Sequence, residues 1–180
     1  NQAASFEDQC AGFAGTPATP GITPPVATPV PTPAPGVSNG VCRGSIEAGR
    51  FENLDVPAGA SCTLLNGTRV DGNITVGSNA TLHASEVIVG GNIQADGAAD
   101  VTVSSNSTIG GNIQIKQGGS AMVDQVQVTG DIQLESNRSA LSITNARVGG
   151  NVQVFQNQGD AKISDNRIDG NLQCKENVPP

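Results

Sequence analysis

Apolar and polar residues alternate along most of this chain, and the alternation restarts about every twenty residues. Val70, Gly72, Ile74 and Val76 share one side of an extended backbone, whose side chains point alternately to two faces. Their equivalents in later copies are nearly all apolar, so this side is expected to face inward. A second apolar run follows in each copy, through Leu82, Val101 with Val103, Val123, Leu141 with Ile143, and Ile163. A third ends at Val89, Ile109, Val128, Val148 and Ile168. Gly, Asn, Asp and Ser separate the runs, as turn residues do. Three strands this short suit neither a hairpin meander nor βαβ units. They predict one turn of an all-β, single-stranded parallel β-helix, a solenoid of about 20 residues per coil. Left-handed solenoids keep a strict six-residue period, which this chain breaks, so a right-handed one is expected.

The punctuation is as regular as the pattern. Gly72, Gly91, Gly111, Gly130, Gly150 and Gly170 recur at spacings of 19, 20, 19, 20 and 20. Around them stand VDGNITV, VGGNIQA, IGGNIQI, VTGDIQL, VGGNVQV and IDGNLQC, and NLDV at Asn53–Val56 is a degenerate earlier copy. Such glycines mark bends that need positive φ or a close backbone approach. Equal spacing stacks Ile74, Ile93, Ile113, Ile132, Val152 and Leu172 in one file. No coil can bury its apolar face alone, so neighbours must cover it. Two polar files run alongside: Asn73, Asn92, Asn112, Asp131, Asn151 and Asn171, then Gln94, Gln114, Gln133, Gln153 and Gln173. Stacked amides can hydrogen-bond along such files.

Upstream the texture changes. Residues 1–13 are a short segment carrying Cys10, and 14–37 form a Pro/Thr-rich linker with eight prolines from Pro17 to Pro35. Proline lacks the donor a ladder needs, so this arm favours polyproline II. Residues 38–52 are expected to cap the solenoid proper, 53–180, whose C-terminal edge is 170–180. Four cysteines in a chain with one histidine and no CxxC pair read as two disulfides in an oxidising compartment, not as a zinc site. Cys62 aligns with inward Leu82, so Cys42–Cys62 would staple the cap. Cys174, at the far edge, is left with Cys10, through the linker, on its own molecule or a neighbour.

Composition narrows the function. The formal charge is −7, which excludes nucleic acid as a natural partner. No apolar run reaches membrane-spanning length. The acidic residues are scattered and read as solvated turn residues, Asp71 and Asp169 among them. His83 has no Ser or Cys partner for a nucleophilic dyad. No catalytic, metal or cofactor site is expected; a calcium site at Asp71–Asn73 is conceivable from its oxygens, without the aspartate-rich nonapeptide repeat that would support it. Five sequons, at Asn66, Asn73, Asn79, Asn106 and Asn137, carry little weight.

The run VPAGASCTL (Val56–Leu64), the repeated GGNIQ, the ending GNLQCKENVPP and the short EDQC (Glu7–Cys10) resemble secreted bacterial β-helix proteins of uncharacterised function. The likeness spans nearly the whole chain except the linker. In that family the DQC segment follows NLQC and a Pro-rich stretch, whereas here EDQC comes first. The resemblance therefore implies that Cys174 of one unit pairs with Cys10 of the next, and that the chain is a subunit or one period of a tandem array. The repeat texture is also similar to bactofilins, polymerising solenoids that are cytoplasmic and lack these cysteines, and more loosely to amyloid-like fibre subunits. The expectation is a secreted, cell-surface structural protein that partners itself head to tail, with no membrane insertion. The alternatives are a monomeric adhesin or glycan-binding module on a stalk and, less favoured, a polysaccharide-active enzyme.

Overall fold

The computed structural model describes residues 38–178, which form a parallel β-solenoid of about seven turns, about 20 residues each, with no helix among them. The Cys10 segment and the Pro-rich linker lie outside the described residues. The first turn contributes Gly40–Val41, Ser45–Ile46 and Gly49–Phe51, and each later turn repeats the triplet, down to Val152–Phe155, Ala161–Ser164 and Arg167–Ile168. Leu172–Lys175 starts one turn more. Sheet one stacks the first strand of every turn, eight in all. Sheets two and three stack the second and third strands, seven each.

Every pairing is parallel and in register. Ile74, Ile93, Ile113, Ile132, Val152 and Leu172 are Cα partners in succession, and all but Leu172 are sealed from solvent. Sheet two adds Leu82, Val101, Ala121 and Leu141, and sheet three Val70, Val89, Ile109, Val128 and Val148. Each such Ile, Val or Leu contributes about 1.5–3 kcal/mol on burial, but only because an apolar counterpart from the next coil covers it.

The one continuous face from Val70 to Val76 is corrected by the structure. Val70 ends a strand of sheet three, and Ile74 and Val76 belong to sheet one, with a corner at 71–73 between them. Both runs point inward, so the period-two pattern reads straight across the bend. The segment 38–52 closes its end by lengthening all three ladders: Gly40 pairs with Leu54, Ser45 with Thr63 and Arg50 with Arg69.

The recurring glycines serve close approach and not positive φ. A Cβ on Gly91 would lie 2.5 Å from Asn73 Oδ1 and 2.7 Å from the Gly72 carbonyl oxygen. The left-handed positions are instead mostly non-glycine. Glu86, Gln125, Asn145 and Asp165 occupy one corner, and Gln117, Ser136, Gln156 and Glu176 another. Each costs about 1–2 kcal/mol of strain. At the second corner that cost is offset by inter-coil bonds such as Gln117 N–H to the Glu135 carbonyl, 2.9 Å, and Ser136 N–H to that of Phe155, 3.0 Å.

Gly111→Ala tests the close approach. Its Cβ would sit 2.8 Å from the Gly91 carbonyl oxygen, so denaturant unfolding should show a loss of about 2–3 kcal/mol, whereas Gly44→Ala, with open space around it, should be near neutral.

Candidate functional site

The chemistry of this molecule is arranged in columns, and the corner between sheets three and one carries the longest. Asn73 Oδ1 accepts from the backbone N–H of Asn92 at 2.8 Å and from its Nδ2 at 3.0 Å. The same backbone-to-side-chain bond recurs from Asn73 to Asn53, Asn112 to Asn92, Asp131 to Asn112, Asn151 to Asp131 and Asn171 to Asn151, at 2.6–3.0 Å. Asn53 Nδ2 in turn donates to Asn39 Oδ1 at 3.0 Å. The corner needs one acceptor oxygen per coil, which explains why Asp131 substitutes for Asn. It also explains the glycines, because the amide oxygen occupies the space a Cβ would need. The Gln column is looser. Gln114 bonds Gln133 at 3.1 Å and Gln153 bonds Gln173 at 3.2 Å, on an outer face of half-buried to exposed side chains. A shallow depression there is lined by Thr75, Ser78, Gln94, Asp96, Gln114 and Lys116.

A second ladder is internal and was not anticipated. Asn137, Asn157 and Asn177 are buried at the corner between sheets one and two. Asn157 Oδ1 accepts from Asn137 N–H at 2.9 Å and Nδ2 at 3.1 Å, and Asn177 Oδ1 accepts likewise from Asn157. Their own amides donate down to the carbonyls of Ile115, Leu134 and Val154 at 2.8–3.0 Å. Asn166 does the same at the next corner, between Ala146 N–H and the Ile143 carbonyl. The signal was a spacing of 20 between the asparagines, masked because earlier coils place Ala98 and Gly118 there. Burial also closes the Asn137 sequon inside the fold.

The expectation of a solvated Asp71 is corrected as well. Asp71 is buried, and its carboxylate is shared by Arg50 Nε at 2.8 Å and Arg69 Nε at 2.9 Å. Arg50 comes from the first coil, so the cluster ties that coil to the second. Its hydrogen bond, helped by Arg69 and working against burial, holds the Asp71 carboxyl below its ordinary value of 3.8. Both oxygens are engaged by guanidinium groups, which disfavours the calcium reading at Asp71–Asn73. Asp169, one residue before the last recurring glycine, is instead exposed beside Arg167. Arg50, Arg69, Arg147 and Arg167 all stand in the outward file of sheet three.

His83 is half exposed on sheet two, 3.8 Å from Asp100 Oδ2, a carboxylate that also accepts from Thr102 and Ser120. Asp124 accepts from Thr144 Oγ1 at 2.6 Å and Asn145 Nδ2 at 3.0 Å, and these bonds, Thr144 first, lower its pKa. Among the described residues no group of three His, Cys, Asp or Glu is placed to hold a metal ion. Cys42 and Cys62 are joined, closing a separation of 20 residues, a constraint worth about 3 kcal/mol. Cys174 faces inward above Val154 and is disulfide-bonded; its expected partner, Cys10, lies outside the described residues. No family model, curated protein or solved structure matches the chain.

Two outcomes follow. Asn157→Leu strands a buried backbone N–H and two partners, and should cost about 3 kcal/mol in denaturant unfolding. Because the folded pKa of Asp71 is depressed, its stabilisation is present above the unfolded value of 3.8 and lost as pH falls below it through the folded value. Stability measured from pH 7 to pH 2 should therefore drop less steeply below about pH 4 in Asp71→Asn, which is already weaker at pH 7.

Proposed function

We propose that this protein is a structural element of extracellular material, a stiff rod joined to its neighbours head to tail, and not a catalyst. One observation carries the reading. The apolar columns run unbroken through the coils and stop at the C-terminal turn beside Cys174, a buried, disulfide-bonded cysteine. The expected partner is Cys10, at the far end of a proline-rich linker. A heterologous contact of this kind, between the arm of one unit and the last coil of the next, propagates into a filament unless it closes.

The surface supports the same reading. Many of its polar groups bond one another, as ladders along the axis and ion pairs between coils such as Lys116–Glu135 at 3.1 Å. Such groups stiffen a rod and keep it soluble. Disulfides persist in oxidising compartments, which supports an extracellular setting.

The competing outcome is a monomer whose arm closes on its own last coil, which a high effective concentration favours. Non-reducing electrophoresis of the native protein separates the two. A ladder of multimers that collapses to monomer with reductant, and that is absent in Cys10→Ser and in Cys174→Ser, is expected. A single monomeric band carrying an internal bond would overturn the filament.

A further inference from the structure

Asparagine or aspartate followed by glycine is among the least durable links a chain carries, and this fold guards all of its own but one. In such a pair the glycine nitrogen can attack the side-chain carbonyl carbon of the residue before it. Glycine has no Cβ to hinder the approach and reaches the backbone conformations that ring closure needs. The chain holds five of these pairs: Asn39–Gly40, Asn66–Gly67, Asp71–Gly72, Asp96–Gly97 and Asp169–Gly170. All five lie among the described residues.

In four of them the attacking nitrogen is engaged. Gly40 N–H donates to the Asn53 carbonyl at 2.8 Å, Gly72 N–H to that of Glu52 at 2.6 Å, Gly97 N–H to that of Lys116 at 2.8 Å and Gly170 N–H to that of Gly150 at 3.0 Å. In two of the four the other reactant is held as well. Asn39 Oδ1 accepts from Asn53 Nδ2 at 3.0 Å, and the Asp71 carboxylate is bound by Arg50 and Arg69. Gly40 also lies against the Phe51 ring, where a Cβ would be 2.5 Å from Phe51 Cδ1. Attack in these pairs has to wait for a bond between coils to open.

Asn66–Gly67 differs in each respect. It lies at the corner between Ser61–Leu64 of sheet two and Thr68–Val70 of sheet three, and both residues are exposed. Among the described residues nothing accepts from Gly67 N–H and nothing bonds the Asn66 side chain. Gly67, at φ 92°, keeps only its carbonyl in the ladder, accepting from Gly49 N–H at 3.4 Å. We propose that Asn66 is a self-modification site, converting spontaneously while the fold preserves the other four pairs. The Gly67 nitrogen, its proton lost to solvent base, bonds to Asn66 Cγ. The Cγ–Nδ2 bond breaks, and that nitrogen leaves as ammonia, giving a cyclic imide. Water then opens either imide carbonyl and leaves aspartate or isoaspartate at position 66. No oxidant, reductant or enzyme is consumed. The corner gains a negative charge and, in the isoaspartate, a further main-chain atom.

The test follows the full oxidised chain over time at mildly alkaline pH, by peptide mapping and mass spectrometry. Position 66 should convert at least tenfold faster than Asn39, the other Asn–Gly pair, because local opening limits the latter. In guanidinium chloride with reductant, where neither nitrogen is held, the two rates should become comparable. An isoaspartate-specific methyltransferase should label the aged native chain and fail to label aged Asn66→Gln, whose longer side chain closes the ring far more slowly. Equal native rates, a preference for position 66 that persists unchanged in denaturant, or undiminished labelling of Asn66→Gln each overturns the proposal. None of these outcomes bears on head-to-tail joining, which stands or falls on its own electrophoresis.

Discussion

Mutual burial between successive coils is the interaction on which everything else rests. A twenty-residue turn presents Ile, Val and Leu to a narrow interior that it cannot fill by itself. Its neighbour, with the same residues at the same Cα register, fills it. Parallel pairing makes this arithmetic strict, because a slip of one residue along a strand would turn every inward side chain outward. The spacing of 19 or 20 is therefore a packing condition, and the corners absorb the one-residue differences.

The polar ladders are the consequence. A chain that turns three corners per coil leaves backbone donors inside the bends with no strand partner, and a buried unpaired donor costs about 1–3 kcal/mol. Asparagine meets this need, since its oxygen reaches the coil above or below while its amide finds a carbonyl. At the corner before sheet one the oxygen stands where the next coil has glycine, so the Asn and Gly files are two halves of one contact. At the corner between sheets one and two the asparagines are fully enclosed. The ladder before sheet one runs from Asn39 to Asn171, whereas the enclosed one occupies only the last coils, Asn137 to Asn177.

Repetition along the shaft sets the two ends apart. Along the shaft every coil has a neighbour, and Lys116 pairs with Glu135 of the next coil. The ends break the pattern, and there stand the aromatic ring, the buried ion cluster and the cysteines. It is these ends that the proposed head-to-tail joining would use.

The period, the inward columns, the Asn and Gln files and the Cys42–Cys62 staple were legible from the residues alone, because each depends on order along the chain and repeats with it. Alternation of Ile74 and Val76 about Thr75 specifies a face wherever the strand lies. The inner Asn137–Asn157–Asn177 ladder and the Arg50–Asp71–Arg69 cluster were not legible. Apart from Arg69 and Asp71, their partners are 20 or so residues apart and meet only when the corner angle is known. Nor could the sequence choose between positive φ and close approach for its glycines, since both call for the same residue and only the distance to the coil beneath separates them. What the sequence determined by itself was which residues stack; which of them reach across a bend was decided by the tertiary structure, because a corner's angle is set by the packing of three sheets at once.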